Sequence, residues 1–102
     1  MGMGWAAHYI EKLKRGETVS FRPRGHSMMP KIKSGQLCTV APAEPGALGV
    51  DDIVLCKVHG VEYLHLIKAI QGGRFQIGNN RGKINGWISA NSIFGRLIKL
   101  ED

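Results

Sequence analysis

The stretch of this 102-residue chain best suited to chemistry is Gly25-His26-Ser27-Met28-Met29-Pro30. Ser27 stands between a glycine and a proline, residues that permit a sharp, unusual backbone. Such a turn presents a hydroxyl and backbone N–H groups together. Acyl transfer uses both, the hydroxyl as nucleophile and the N–H groups as holders of the oxyanion. A serine in a loop is also a common solvated or capping residue, so Ser27 gains meaning only from what surrounds it.

The elements that would position Ser27 follow from periodicity. Trp5, Ala6, Tyr9, Ile10 and Leu13 fall at helical spacing, Lys12, Lys14 and Arg15 supply cations to the last turn, and Gly16 stops it. A helix over about 4–15 is predicted, and the opening Met1-Gly2-Met3-Gly4 is expected to include an expression remnant. After Gly16 the pattern alternates. Thr18–Arg22 reads as a strand ended by Pro23, and Gln36–Ala41 as a second. Pro42–Gly49 is a loop, with a turn at Glu44-Pro45-Gly46-Ala47. Ile53–Val58 and Val61–Ile70 flank His59-Gly60, the signature of a tight hairpin, whose register sets Lys57 opposite Glu62 as a charge pair. Gln71-Gly72-Gly73 turns the chain into Arg74–Ile77. Gly78–Gly86 reads as a polar loop, and Trp87-Ile88 and Ile93–Leu100 as closing strands.

In sequence order these pieces resemble the catalytic domains of the signal-peptidase and LexA superfamily of serine peptidases. Gly25-His26-Ser27-Met28-Met29-Pro30, then Gly35, then Leu37–Val40, looks like the family's nucleophile box. Val50-Asp51-Asp52-Ile53-Val54 is similar to its Gly-Asp-hydrophobic start of a strand, with Asp51 where glycine is usual. Tyr63–Gly72 resembles the strand that carries the general base, Gly78-Asn79-Asn80 its Gly-Asp-Asn loop, and Ile93–Leu97 its closing strand. The resemblance covers about residues 18–100 and implies a mainly β domain: a coiled antiparallel sheet like the LexA C-terminal domain, with one N-terminal α-helix, in a single domain over 1–102.

The resemblance also implies roles. Ser27 is the expected nucleophile and its own N–H part of the oxyanion hole. The base is His65 or Lys68. His65 is preferred because seven residues separate it from Gly72, as in the signal-peptidase pattern, whereas Lys68 is four away. On a strand His65 shares a face with Val61, Tyr63 and Ile67, and Lys68 with Glu62, Leu64 and Leu66, so both reach Ser27 only across a bulge. A histidine is poised near neutrality; a lysine needs burial to lose its proton. Asn79, where the family has aspartate, is the expected orienter of His65. It can hydrogen-bond the ring but brings no charge to an imidazolium.

Composition narrows the rest. The formal charge is +6, with the basic residues scattered, which admits a nucleic-acid partner without favouring it. Four scattered histidines and two strand cysteines have no metal-ligand spacing, so no metal and no cofactor is expected. Cys38 and Cys56 read as buried free thiols, and with no secretory signal peptide visible the expected compartment is the cytoplasm. No apolar run is long enough to span a membrane. The expected partner is a polypeptide laid along an open sheet edge, as substrate, as a segment of the chain itself, or as a second copy in a homodimer. The alternative function is a catalytically weakened, LexA-like binding or dimerisation module in a regulatory or DNA-damage-response setting. It is favoured by Asn79 and by the lack of a membrane anchor or DNA-binding domain in this sequence. A small basic nucleic-acid-binding β domain ranks below both, because only Phe75 and Trp87 offer rings for bases to stack on.

Overall fold

The computed structural model describes residues 4–102, so Met1–Met3 of the opening segment lie outside the described residues. Helix α1 spans Ala7–Lys14. It is shorter than 4–15 because Trp5 and Ala6 form the turn that leads into it and Arg15 already departs from helical geometry. Its N-cap, Ala6, has no side-chain acceptor of its own. The acceptor comes from far along the chain: Ala6 N–H donates to Glu62 Oε1 at 2.6 Å. A carboxylate at the positive end of a helix satisfies an orphan donor and complements the helix dipole.

Seven strands form one antiparallel sheet: β1 (Val19–Phe21), β2 (Leu37–Ala41), β3 (Ile53–Val58), β4 (Val61–Gln71), β5 (Arg74–Gly78), β6 (Ile84–Ser89) and β7 (Ile93–Glu101). Their order is β1-β2-β7-β3-β4-β5-β6, and every neighbouring pair is antiparallel. The hairpins β3–β4 and β4–β5 follow the apolar runs and glycine turns of the sequence, with side chains alternating between the two faces of the sheet, whereas β6 begins at Ile84, inside the stretch Gly78–Gly86 expected as a loop. His59 and Gly60 both have positive φ, 50° and 79°, the conformation of a two-residue I′ turn. Between β2 and β3, Ala47 N–H bonds back to Glu44 O at 2.9 Å, closing the expected turn.

Lys57 does lie opposite Glu62. They form no ion pair among the described residues, because Glu62 is turned under the helix and is buried. The same alternation builds two cores. Ile10 and Leu13 of α1 pack with Phe21, Val40, Leu55, Leu64 and Leu66 on one face. Val54, Cys56, Ile67, Phe75, Ile77 and Ile88 pack on the other, inside a curl made by β3 to β6. The curl brings β6 back towards β3, so that a Cβ placed on Gly86 would lie 3.2 Å from Val58 Cγ1, yet the sheet does not close. No described helix is long and apolar enough to cross a membrane.

Candidate active site

Ser27 sits in the segment that joins β1 to β2. Two side chains anchor it: Met28 and Ile32 are buried in the helix-side core. Gly35 N–H closes the base of the segment on Pro23 O at 2.9 Å, and Gly25 N–H donates to Ser34 Oγ at 3.1 Å. Gly25 has φ 122°, which side chains with a Cβ rarely adopt, so the glycine there is a geometric requirement. The far side of the segment is tied to the turn after β5, where Asn80 N–H donates to Ser27 O and Asn80 Nδ2 to Met29 O, both at 3.0 Å. His26 Nδ1 lies 3.2 Å from Met29 Sδ, directed along its own loop.

This framework puts Ser27 Oγ 3.2 Å from His65 Nε2. His65 belongs to β4 and is buried, with the Tyr63 ring beside it at 4.8 Å. On its other side Nδ1 lies 2.7 Å from Asn85 Oδ1. An amide oxygen only accepts, so Nδ1 carries the proton and donates to Asn85. That tautomer leaves the Nε2 lone pair facing the serine hydroxyl, which donates to it. Burial lowers the pKa of His65 from its ordinary 6.5. The Asn85 hydrogen bond works the other way, and the positive charge of Lys83 lowers it further. The ring is therefore neutral at neutral pH.

Asn85 does not stand out in the sequence, and the reason is local. Asn-Gly is the strongest short signal for a hairpin turn, which puts Asn85-Gly86 in a loop. Instead both lie within β6. Ile77 pairs with Gly86 and Gly78 with Ile84, so Asn85 is the extra residue of a bulge. Bulges re-aim side chains, and this one aims an amide at His65.

The other two expected residues are placed elsewhere. Asn79 is buried and lines the same cleft, but its Oδ1 accepts from Arg81 N–H at 2.8 Å and Lys83 N–H at 3.0 Å. Asn79 therefore holds the β5–β6 turn, and Asn85 takes the orienting position predicted for it. Lys68 is the unpaired residue of a bulge between Ile67 and Ala69, with its side chain over Gly78. It makes no hydrogen bond to Ser27 among the described residues and does not line the cleft. The alternation of β4 separates it from His65, and its bulge does not undo that.

Ser27 and His65 open into a cleft of about 620 Å³. Its floor includes Met28, Ile32 and Leu64, and its rim Trp5 and Tyr63. Among the described residues the N–H groups of Ser27 and Met28 donate to no protein acceptor. One wall is an open strand edge. β4 pairs with β3 from Val61 onwards, but with β5 only from Leu66 onwards. Alternate residues of β4 therefore turn N–H and C=O outward at the cleft, Leu64 among them, and Trp5 Nε1 donates to one such carbonyl, Glu62 O, at 3.3 Å. No group of three or more His, Cys, Asp or Glu able to hold a metal occurs among the described residues. No protein-family model matches the chain, and no curated protein is significantly similar to it.

Proposed function

We propose that the chain is a serine endopeptidase of the signal-peptidase and LexA type, with Ser27 as nucleophile and His65 as general base. The observation that carries this reading is the line Ser27 Oγ, His65 Nε2 at 3.2 Å, and His65 Nδ1 to Asn85 Oδ1 at 2.7 Å. A nucleophile within hydrogen-bond reach of a base, itself oriented by a third group, is the general signature of nucleophilic catalysis. The coiled, unclosed antiparallel sheet with one N-terminal helix supports the LexA-like assignment as a fold.

The chemistry follows from the atoms. Ser27 Oγ attacks the scissile carbonyl carbon while its proton passes to His65 Nε2. The Ser27 and Met28 N–H groups hold the oxyanion. The C–N bond breaks, and the amine leaves with the proton from Nε2. Water then enters on the ester; His65 takes one of its protons, the acyl–oxygen bond breaks, and the proton returns to Ser27. The substrate is a polypeptide lying along β4 as an added strand, using the outward N–H and C=O of Leu64. The cytoplasm suits the two thiols, which are both free.

A second reading has one observation in its favour. An amide, not a carboxylate, stands behind His65, so the imidazolium formed during attack has no anion to stabilise it. On that reading the same cleft binds a polypeptide without cutting it. A peptidyl diphenyl phosphonate separates the two. Covalent labelling of the wild type, absent in Ser27→Ala, is the expected result. No labelling between neutral and alkaline pH, with both proteins folded, overturns the peptidase.

A further inference from the structure

The cleft carries more charge than a peptide bond requires. Arg22, Arg24, Lys33 and Lys83 all line it. Arg22 Nη1 donates to Gly35 O at 2.8 Å. The side chains of Arg24, Lys33 and Lys83 have no hydrogen bond or ion pair among the described residues, and the ion pairs that do form there lie elsewhere. The single carboxylate in the cleft, Glu62, is committed to Ala6 N–H. Four cations therefore line a shared concave space against one carboxylate among the described residues, a formal excess of three positive charges.

From this, and resting on the peptidase reading above, we infer that the cleft selects acidic polypeptides, with Asp or Glu side chains close to the scissile bond. Like charges across a cleft with low-dielectric walls focus a positive potential into it. A bound acidic segment relieves that repulsion, and a basic segment adds to it, so the same charges attract one class and reject the other. The positions suit a strand lying along β4. Arg22 and Arg24 belong to the segment leading to Ser27, and Lys83 to the turn leading to Asn85, so the cations come from the segments that supply the reacting line. The field already acts at the centre, since the charge of Lys83 bears on His65. Beside the floor of Met28, Ile32 and Leu64, the open edge of β4 offers backbone hydrogen bonds that an extended polypeptide matches and a nucleic-acid strand does not, which favours a polypeptide.

Two peptidyl diphenyl phosphonates test the inference, each with an alanine analogue on phosphorus, one preceded by glutamates and one by lysines. In labelling, the Ser27 Oγ–P bond forms, phenoxide leaves, and the hydroxyl proton passes to His65. The acidic probe is expected to label about tenfold faster at low salt, from two exposed charge pairs of a few-fold each. The ratio should shrink towards unity at high salt and in the Arg24→Gln/Lys83→Gln double variant. Comparing the two probes on one protein cancels any change in His65 itself. A second measurement does not depend on catalysis: binding of the corresponding unreactive peptides to Ser27→Ala. Tighter binding of the acidic peptide, lost in the double variant, supports the inference even if no phosphonate labels the wild type, which would overturn only the peptidase. Equal rates and equal affinities for the two sequences overturn the inference and leave the peptidase standing. So does an oligonucleotide that displaces both peptides without discrimination between them.

Discussion

On the proposed mechanism, replacing Asn85 by aspartate should make His65 a stronger base and Ser27 a faster nucleophile. Asn85 Oδ1 already accepts from Nδ1 at 2.7 Å, so Asn85→Asp keeps the acceptor and the tautomer and adds only a charge. Two unit charges about 4 Å apart interact by about 4 kcal/mol at an effective dielectric constant of about 20. Asn85 is half-buried and its cleft is open to water, so about half of that is the reasonable expectation, about 2 kcal/mol. That stabilises the imidazolium formed as Ser27 attacks and corresponds to about a 30-fold gain in phosphonate labelling rate at the pH plateau. It also raises the pKa of His65, so the acid limb of the rate profile moves to higher pH. The assay is labelling rate against pH, paired with an NMR titration of the His65 ring. Asn85→Ala is the opposing control: with no acceptor the ring loses its fixed tautomer, and the rate falls. If Asn85→Asp moves neither the acid limb nor the ring titration in a folded protein, Asn85 does not orient His65 and the three-residue line is incidental.

Further outcomes follow from the same structure. In the wild type the lowered pKa of His65 keeps the base unprotonated below its ordinary 6.5, so labelling should hold steady through neutral pH and fall only in the acid range. Stability follows the same sign: the unfolded ring takes up its proton near 6.5 while the folded ring resists. The contribution is thus complete above that pH and is lost as pH falls towards the folded pKa, readable as a urea midpoint that drops below pH 6.5 in the wild type and not in His65→Gln. Glu62→Ala removes the acceptor of Ala6 N–H and should cost about 1–3 kcal/mol, measured by urea unfolding. A midpoint unchanged from wild type would mean the helix does not depend on that carboxylate. Burial pushes the Cys56 thiol up to about 12 and raises Cys38 as well, so iodoacetamide at mildly alkaline pH should modify neither in the native protein and both in denaturant. His59→Asn places a residue suited to positive φ in the I′ turn and should stabilise by about 0.5 kcal/mol, seen as a small rise in Tm.

The parts legible in the sequence are those fixed by short-range physics. The apolar runs on either side of His59-Gly60 give β3 and β4, and that dipeptide sets their turn and register down to Lys57 opposite Glu62. Strand geometry separates His65 from Lys68, because residues an odd number of places apart on a strand point to opposite faces. The Gly25–Pro30 frame marks Ser27, and the position occupied by Asp51 in place of a glycine does have positive φ, 75°. What escaped was whatever two distant segments decide between them. Glu62 reads as a surface charge for Lys57, but only packing brings the helix N-terminus over it, and an orphan N–H there outweighs an exposed ion pair. Asn79 and Asn85 are both asparagines near glycine, and either amide suits a histidine ring. Pairing of β5 with β6 closes one around its own turn and extrudes the other at a bulge, and a bulge is set by the register of two strands. The sequence by itself therefore determined Ser27 and the strand face that offers His65. The tertiary structure alone decided that the two meet and that Asn85 stands behind the ring, because a contact between residues 38 apart in sequence depends on how the whole sheet curls.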